Sequence, residues 1–322
     1  MEAKAGRSPV AFYCVSNERY FLGAVGMLNS LRLMGHSEPV FLLDCGLTAQ
    51  QREILSPHVT LVVGPREPGP HMLKTVAPLK HPADTTVLID VDMIVTRPFT
   101  DLLKAASQGK IVAFKNNLEQ RFIAEWGKLL DLGPIRRQPY LSSGLVFLGG
   151  SPGEEVVRLL DDRQKRVDFD LTYPRRNVPD YPFVLLEQDV LNPILASRVE
   201  RERIVALDNR LAPEPPFSGL RVLDEATLRC EYEDGAEPYV LHFLGVRKAW
   251  YGPAYRDAYS RLLTRLLVGA DVAVKVPKGE LPLRMRDGVL ARAARARHGL
   301  GWRVRERLPE SMLRQLDALR RR

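Results

Sequence analysis

Val87-Leu88-Ile89-Asp90-Val91-Asp92-Met93 is the stretch that decides how this chain is read. An apolar run with the look of a buried strand ends in two carboxylates separated by one residue. In extended backbone the side-chain period is two, so Asp90 and Asp92 can point to the same side. Close carboxylates repel, and burying them unpaired is costly. A hard divalent cation resolves that conflict, with Mn²⁺ or Mg²⁺ the natural candidates, and such an ion also bridges phosphate oxygens. Taken alone, the stretch leaves a second reading open: two solvated loop acids, one of them capping the next turn.

Upstream, strands and helices alternate in short spans. Val10 to Ser16 reads as a first strand and Phe21 to Met34 as a helix, with Leu22, Val25 and Leu28 on one broad face. Strands are expected at Pro39 to Leu43, Val59 to Val63 and Thr86 to Asp90. Thr48 is placed to cap a short helix, and His71 to Leu79 is a second helical stretch. This alternation argues for an α/β fold with a mixed, mostly parallel central sheet and helices on both faces. Ligands of such sheets gather at the carboxyl ends of the strands, where the two aspartates lie.

Downstream the alternation loosens. Strands are expected at Ile111 to Phe114, Gly144 to Leu148 and Ile204 to Leu207, and helices at Gln120 to Leu130 and from Glu154. Pro174 to Pro182 reads as loop. Phe183 to Val190 reads as a helix stopped before Pro193. Leu211 to Leu220 reads as Pro-rich surface, Tyr239 to Phe243 as apolar, and Tyr251 to Leu267 as a closing helix. The expected organisation is one body over residues 8–268 and a basic, partly helical C-terminal appendage over 269–322.

The charge supports that division. The chain of 322 residues carries a formal +8. Twelve Arg from Leu281 onward, against Asp287, Glu306, Glu310 and Asp317, account for all of it, so the first 280 residues are neutral. No aromatic-interleaved basic motif marks the body, and no nucleic-acid partner is expected. Cys14, Cys45 and Cys230 are too few and scattered for a disulfide framework. No apolar run approaches the roughly 20 residues that span a bilayer. The chain reads as cytoplasmic. Within the tail, Pro309 opens an amphipathic segment carrying Met312, Leu313, Leu316 and Leu319 and ending in Arg320 to Arg322. It either docks on the body or makes peripheral contact with an anionic membrane surface at the inner face.

A late segment, Tyr239-Val240-Leu241-His242-Phe243-Leu244-Gly245-Val246-Arg247-Lys248-Ala249-Trp250, places a histidine at the end of an apolar run, then a turn glycine and a basic pair. The imidazole of His242 can complete the coordination begun by two carboxylates. Gly245 allows close backbone approach, and Lys248 is a point charge suited to a phosphate. The plain alternative is a satisfied, semi-buried histidine beside a surface lysine.

Together these segments resemble the retaining glycosyltransferases of the glycogenin and bacterial lipooligosaccharide galactosyltransferase group, family 8, in order from about Ala11 to Trp250. The resemblance implies a GT-A type nucleotide-sugar-binding domain. It implies a metal, Mn²⁺ or Mg²⁺, on Asp90, Asp92 and His242, and a diphosphate contact from Lys248. Ala249 stands where that family usually has proline. Cys14 to Tyr20 matches the part that holds base and ribose, with Val15, Asn17 and Tyr20 as its contacts, and Val91 lies between the metal ligands. Lys74 resembles a basic residue that reaches the donor. Leu141-Ser142-Ser143-Gly144 resembles the family's strand entry, with Ser142 in place of Asn. Glu187-Gln188-Asp189-Val190-Leu191-Asn192 resembles Asp-Gln-Asp-x-x-Asn, with Glu187 lengthened by one methylene.

The activity implied by the resemblance is transfer of a hexose, glucose or galactose, from a UDP-sugar with retention of configuration. Gln188 would lie beneath the anomeric carbon. Because an amide is a poor nucleophile, front-side attack is expected, with a transient adduct on Gln188 or Asp189 as the alternative. Gln188, Asp189 and Lys248 are the expected catalytic residues. An inactive or hydrolytic nucleotide-sugar-binding protein of the same fold is the other reading. The acceptor is expected to be a glycan, glycolipid or small metabolite. Arg121, Trp126, Lys128, Arg136 and Arg137 are its candidate border, hinting at an anionic or polyhydroxylated molecule.

Overall fold

Nine residues, Ser8–Ser16, form the first strand, β1, and the sheet is laid down around it. The computed structural model describes residues 7–65, 70–244, 248–251 and 257–286. Helix α1 (Phe21–Leu33) follows a turn capped by Asn17, and strand β2 (Val40–Asp44) returns parallel to β1. Helix α2 (Ala49–Leu55) begins with a reciprocal capping box, in which the Thr48 side chain accepts from the Gln51 backbone and the Gln51 side chain accepts from Thr48. Strand β3 (Thr60–Val63), helix α3 (Val76–Lys80) and strand β4 (Ala83–Ile89) complete the alternating half.

After β4 come strand β5 (Met93–Val95), helix α4 (Thr100–Ser107), strand β6 (Ile111–Lys115), the single turn α5 (Trp126–Leu129), strand β7 (Leu141–Gly149) and helix α6 (Gly150–Arg163). Helix α7 (Glu187–Arg198), strands β8 (Ile204–Leu207), β9 (Leu220–Asp224), β10 (Arg229–Tyr232) and β11 (Val240–His242), and helix α8 (Ala258–Val268) follow. The main sheet has seven strands in the order β3-β2-β1-β4-β7-β6-β8. All its pairs are parallel except those of β7, which runs antiparallel to both β4 and β6. Both faces are covered. One core holds Phe12, Leu28, Val87, Phe99 and Trp250, and the other Tyr13, Leu88, Trp126, Leu148 and Ile194.

Several expectations are corrected. The helix expected over Gln120 to Leu130 shrinks to α5. Its Trp126 is buried, donates from Nε1 to the Pro182 carbonyl at 2.7 Å and stacks on Tyr140, so long-range contacts set this segment's path. The helix expected to end before Pro193 instead begins at Glu187 and runs through Pro193 to Arg198. Burial of Val190, Leu191, Ile194 and Leu195 outweighs the cost of about 3 kcal/mol for an interior proline. Leu211 to Leu220, expected as plain surface, forms much of the wall of a large cleft.

The packed body does not stop at Val268. Asn29 Nδ2 donates to the carbonyls of Leu266 and Val274 at 2.8 and 3.0 Å, and Val274 N donates back to Asn29 Oδ1 at 2.7 Å. Arg284, also buried, donates to the Ala249 carbonyl at 2.6 Å. The Arg-rich segment from Asp287, including the amphipathic stretch after Pro309, lies outside the described residues, as does Gly245. Among the described residues no helix is long and apolar enough to cross a membrane.

Candidate functional site

Strand β4 ends at Ile89, and a turn closed by Met93 N on the Asp90 carbonyl (3.2 Å) carries Asp90, Val91 and Asp92. The chain then enters β5, whose antiparallel partner is β11, with Met93 opposite His242. Phe243 N donates to the Asp92 carbonyl at 3.0 Å. This short ladder brings a residue from far downstream beside the turn. One ligand atom from each of Asp90, Asp92 and His242 falls within 4.8 Å of the others. Nε2 of His242 lies 3.3 Å from Asp92 Oδ1 and 3.8 Å from Asp90 Oδ2, yet it is buried and makes no aligned hydrogen bond. An orphaned imidazole nitrogen aimed between two carboxylates is what a divalent ion's coordination sphere requires. Gly144 keeps the space open. A Cβ there would meet Met93 Cε at 2.7 Å, His242 Cε1 at 2.8 Å and Asp90 Oδ2 at 3.2 Å.

Two lysines flank the cluster. Lys74 Nζ sits 2.6 Å from Asp90 Oδ1 and 2.9 Å from Glu187 Oε1, and Lys248 Nζ sits 2.5 Å from Asp92 Oδ2. Burial works against the Lys74 ammonium, but the Asp90 and Glu187 carboxylates outweigh it and raise its pKa. Lys248 follows the same pattern through Asp92. Burial alone would raise the Asp92 carboxyl, but Lys248 and His242 hold it well below the usual carboxylate range. His242 is raised, because Asp92 and Asp90 outweigh its burial. With the imidazole neutral, the carboxylates of Asp90, Asp92 and Glu187 exceed the two ammonium groups by a single negative charge. A divalent cation would turn that into an excess of one positive charge, which suits a diphosphate.

Helix α7 grips strand β7 through side-chain amides four residues apart. Asn192 accepts from Leu141 N at 2.7 Å and donates to Leu141 O at 2.9 Å, while Gln188 Oε1 accepts from Ser143 N at 3.0 Å. Four helical residues rise about 6 Å and two strand residues about 6.6 Å, so the spacings match. Asp189, between them, is fully buried. Its carboxylate accepts from Arg121 Nε and Nη2 at 2.7 and 2.9 Å, from Tyr140 OH at 2.6 Å and from Leu185 N at 2.7 Å. Four donors occupy its acceptor sites. They brace a turn in which Leu186 holds φ at +58°, a conformation costing about 1–3 kcal/mol for a non-glycine residue.

Val15, Asn17, Tyr20, Lys74, Asp90, Val91 and Asp92 line a single narrow cleft at the carboxyl ends of β1 and β4. Asn17 Oδ1 caps the following turn by accepting from Arg19 N and Tyr20 N at 3.1 and 3.3 Å. The Tyr20 ring meets the buried Trp250 edge-on, with Lys248 Nζ 5.4 Å from its centroid. Ser142 lies instead on a larger cleft of about 580 Å³, which His242 also lines and the segment from Ala212 to Gly219 walls.

No protein-family model matches the chain, and no curated protein matches it. Solved structures do. LgtC, a galactosyltransferase crystallised with donor and acceptor sugar analogs, is 16% identical, with 84% of this chain and 100% of that chain covered and a TM-score of 0.52. An active-site mutant of LgtC aligns over the same shares at 16% identity and a TM-score of 0.53. The bifunctional glycosyltransferase WbbM is 14% identical, with 84% of this chain covered and a TM-score of 0.52; the chain spans about half (51%) of that protein. The fold is of the GT-A type.

On this GT-A scaffold the residues expected at the donor site lie close together, with two exceptions: Ser142 lines the larger cleft, and Gly245 lies outside the described residues. The expected acceptor border does not line the large cleft. Arg121 is spent on Asp189, Trp126 is core, and Arg136 donates to the Leu195 and Ala196 carbonyls at the end of α7. Arg137 stacks over Phe122. Residues that the sequence did not single out, Asn117, Asn209 and Glu214, line the large cleft. The Pro-rich run around Glu214 was their available signal, since irregular backbone beside a site commonly carries function.

Proposed function

We propose that this protein is a metal-dependent retaining glycosyltransferase that moves a hexose, glucose or galactose, from a UDP-sugar to an acceptor hydroxyl. The observation that carries this reading is the Asp90–Asp92–His242 cluster at the rim of the cleft formed by Val15, Asn17, Tyr20 and Lys74. The donor's base and ribose lie along β1's end, and its diphosphate faces the aspartates. Asp90, Asp92 and His242 would hold Mn²⁺ or Mg²⁺, which would supply Lewis-acid stabilisation of the leaving diphosphate.

This chain's own residues do the rest. Lys248 moves from Asp92 to the diphosphate and neutralises charge as the glycosidic bond breaks. Lys74 and Glu187, held together at 2.9 Å, orient the hexose. Gln188, fixed by Ser143, lies beneath the anomeric carbon as an orienting dipole. Attack is from the front side, with the acceptor hydroxyl entering on the face the diphosphate leaves and a phosphate oxygen taking its proton. The buried, four-donor environment of Asp189 favours this route over an adduct on that carboxylate.

The test is nucleotide release from a panel of nucleotide sugars with Mn²⁺, with and without acceptors. Asp92→Ala abolishes divalent-dependent transfer; full activity after chelation would sink the metal assignment. Release that never depends on an acceptor would make the protein a hydrolase.

A further inference from the structure

The large cleft contains a device whose residues do not line the narrow cleft at the ends of β1 and β4. Asn209 Nδ2 donates to Asn117 Oδ1 at 2.8 Å, and Asn117 Nδ2 donates to Glu214 Oε2 at 3.1 Å. The chain of amides starts just after β8, passes through the residues after β6 and ends on the loop before β9. It fixes one oxygen of Glu214. No donor is assigned to the other, Oε1, among the described residues. Backbone contacts hold the carboxylate's base firmly, since Phe217 N donates to the Glu214 carbonyl at 3.1 Å and His242 N to the Pro213 carbonyl at 3.0 Å. Glu214 thus directly follows the residue that is bonded to the ion-ligand histidine, and both Glu214 and His242 line the same 580 Å³ space.

The charges lining that space are unequally compensated. Arg210 is engaged by both oxygens of Asp234 at 3.0 and 2.8 Å, and Lys115 lies 3.5 Å from Glu119. Glu214 and Glu233 have no ion pair among the described residues. Glu214 is half-buried, and that burial pushes its carboxyl pKa up. Arg210 also lies over the Tyr232 ring, 4.5 Å from its centroid, which keeps that cation against the wall.

We propose that this cleft seats the acceptor, and that Glu214 selects a polyhydroxylated molecule without negative charge by accepting a hydrogen bond from one of its hydroxyl or ammonium groups. The inference rests on the glycosyltransferase reading and narrows it: an anionic acceptor meets two uncompensated carboxylates and is rejected. A site built to hydrogen-bond a substrate donor discriminates strongly against molecules lacking it.

Saturation-transfer NMR on the protein loaded with UDP and Mg²⁺ tests this with maltose, glucosamine and glucuronic acid as probes. Maltose and glucosamine are expected to bind at least tenfold better than glucuronic acid. Glu214→Ala loses tenfold or more for both, whereas Glu214→Gln, whose amide oxygen still accepts, keeps maltose and loses glucosamine. Equal binding of glucuronic acid, unchanged binding in Glu214→Ala, or no response from any probe overturns the proposal. UDP binding to the wild-type protein, measured calorimetrically in parallel, separates the failures. UDP bound without a saccharide response sinks this inference alone, while absence of UDP binding sinks the donor reading beneath it.

Discussion

Lys248 Nζ lies 2.5 Å from Asp92 Oδ2, so the residue assigned to the diphosphate is the counter-ion of a residue assigned to the metal. The pair satisfies two buried charges. It also means that donor and ion together must release Lys248 before it can act. Lys248→Ala therefore lowers turnover by about 100-fold, the scale of removing one charge-stabilising donor. Mn²⁺ affinity, read by calorimetry, stays the same or tightens because Asp92 loses its competitor. Weaker Mn²⁺ binding in the variant would contradict the exchange.

Gly144 faces the cluster with no room for a side chain. Gly144→Ala costs about 1–3 kcal/mol in urea denaturation, the range for overpacking a core, and blunts the rise in melting temperature on adding Mn²⁺. If the variant responds to Mn²⁺ as the wild type does, the ion does not sit against Gly144.

Asp189 is fully buried with four donors on its carboxylate, and on the proposed mechanism it positions its neighbours rather than reacting. Asp189→Asn leaves Arg121 without its carboxylate and is expected to destabilise the fold by about 3–5 kcal/mol, as breaking a buried ion pair does. Arg121→Met lowers stability and turnover in parallel, because both substitutions loosen the Leu185–Leu186 turn that aims Gln188. A folded, fully stable Asp189→Asn protein lacking activity would instead favour Asp189 as the nucleophile.

The Ala249 carbonyl is held by Arg284, which reaches back from the far end of the described chain. The motif that this segment resembles has proline at this position; here a charged hydrogen bond restrains the Ala249 carbonyl. Arg284→Ala is expected to cost about 1.5–3 kcal/mol and to raise the KM for the donor, because Lys248 precedes Ala249. Arg284→Ala combined with Ala249→Pro restores part of that loss; no rescue would separate Arg284 from the turn.

Much of the site was legible because its chemistry is local. Asp90 and Asp92 share a turn at a strand end, and the cap at Thr48 is written in four residues. Illegible parts depend on contacts whose partners lie far apart. Pro193 signals a helix stop by its missing N–H, yet the buried face around Ile194 carried the helix through it. The basic run near Arg121 suggested a binding surface, but a fully buried carboxylate 68 residues away uses that cation. The hairpin β9–β10 left little apolar signature because only Cys230 and Tyr232 of its nine strand residues are buried.

By itself, then, the sequence determined the α/β alternation, the paired aspartates and the candidate status of His242 and Lys248, since each is a matter of residue type and short spacing; Gln188 entered only through the resemblance. Only the tertiary structure decided that His242 meets the aspartates, that Lys74 bridges Asp90 to Glu187, and that Glu214 is aimed into a cleft by two asparagines. The three-residue pairing of β5 with β11 is too short to announce itself in a pattern. Its register is set by the surrounding core, and that register alone places the imidazole within reach of both carboxylates.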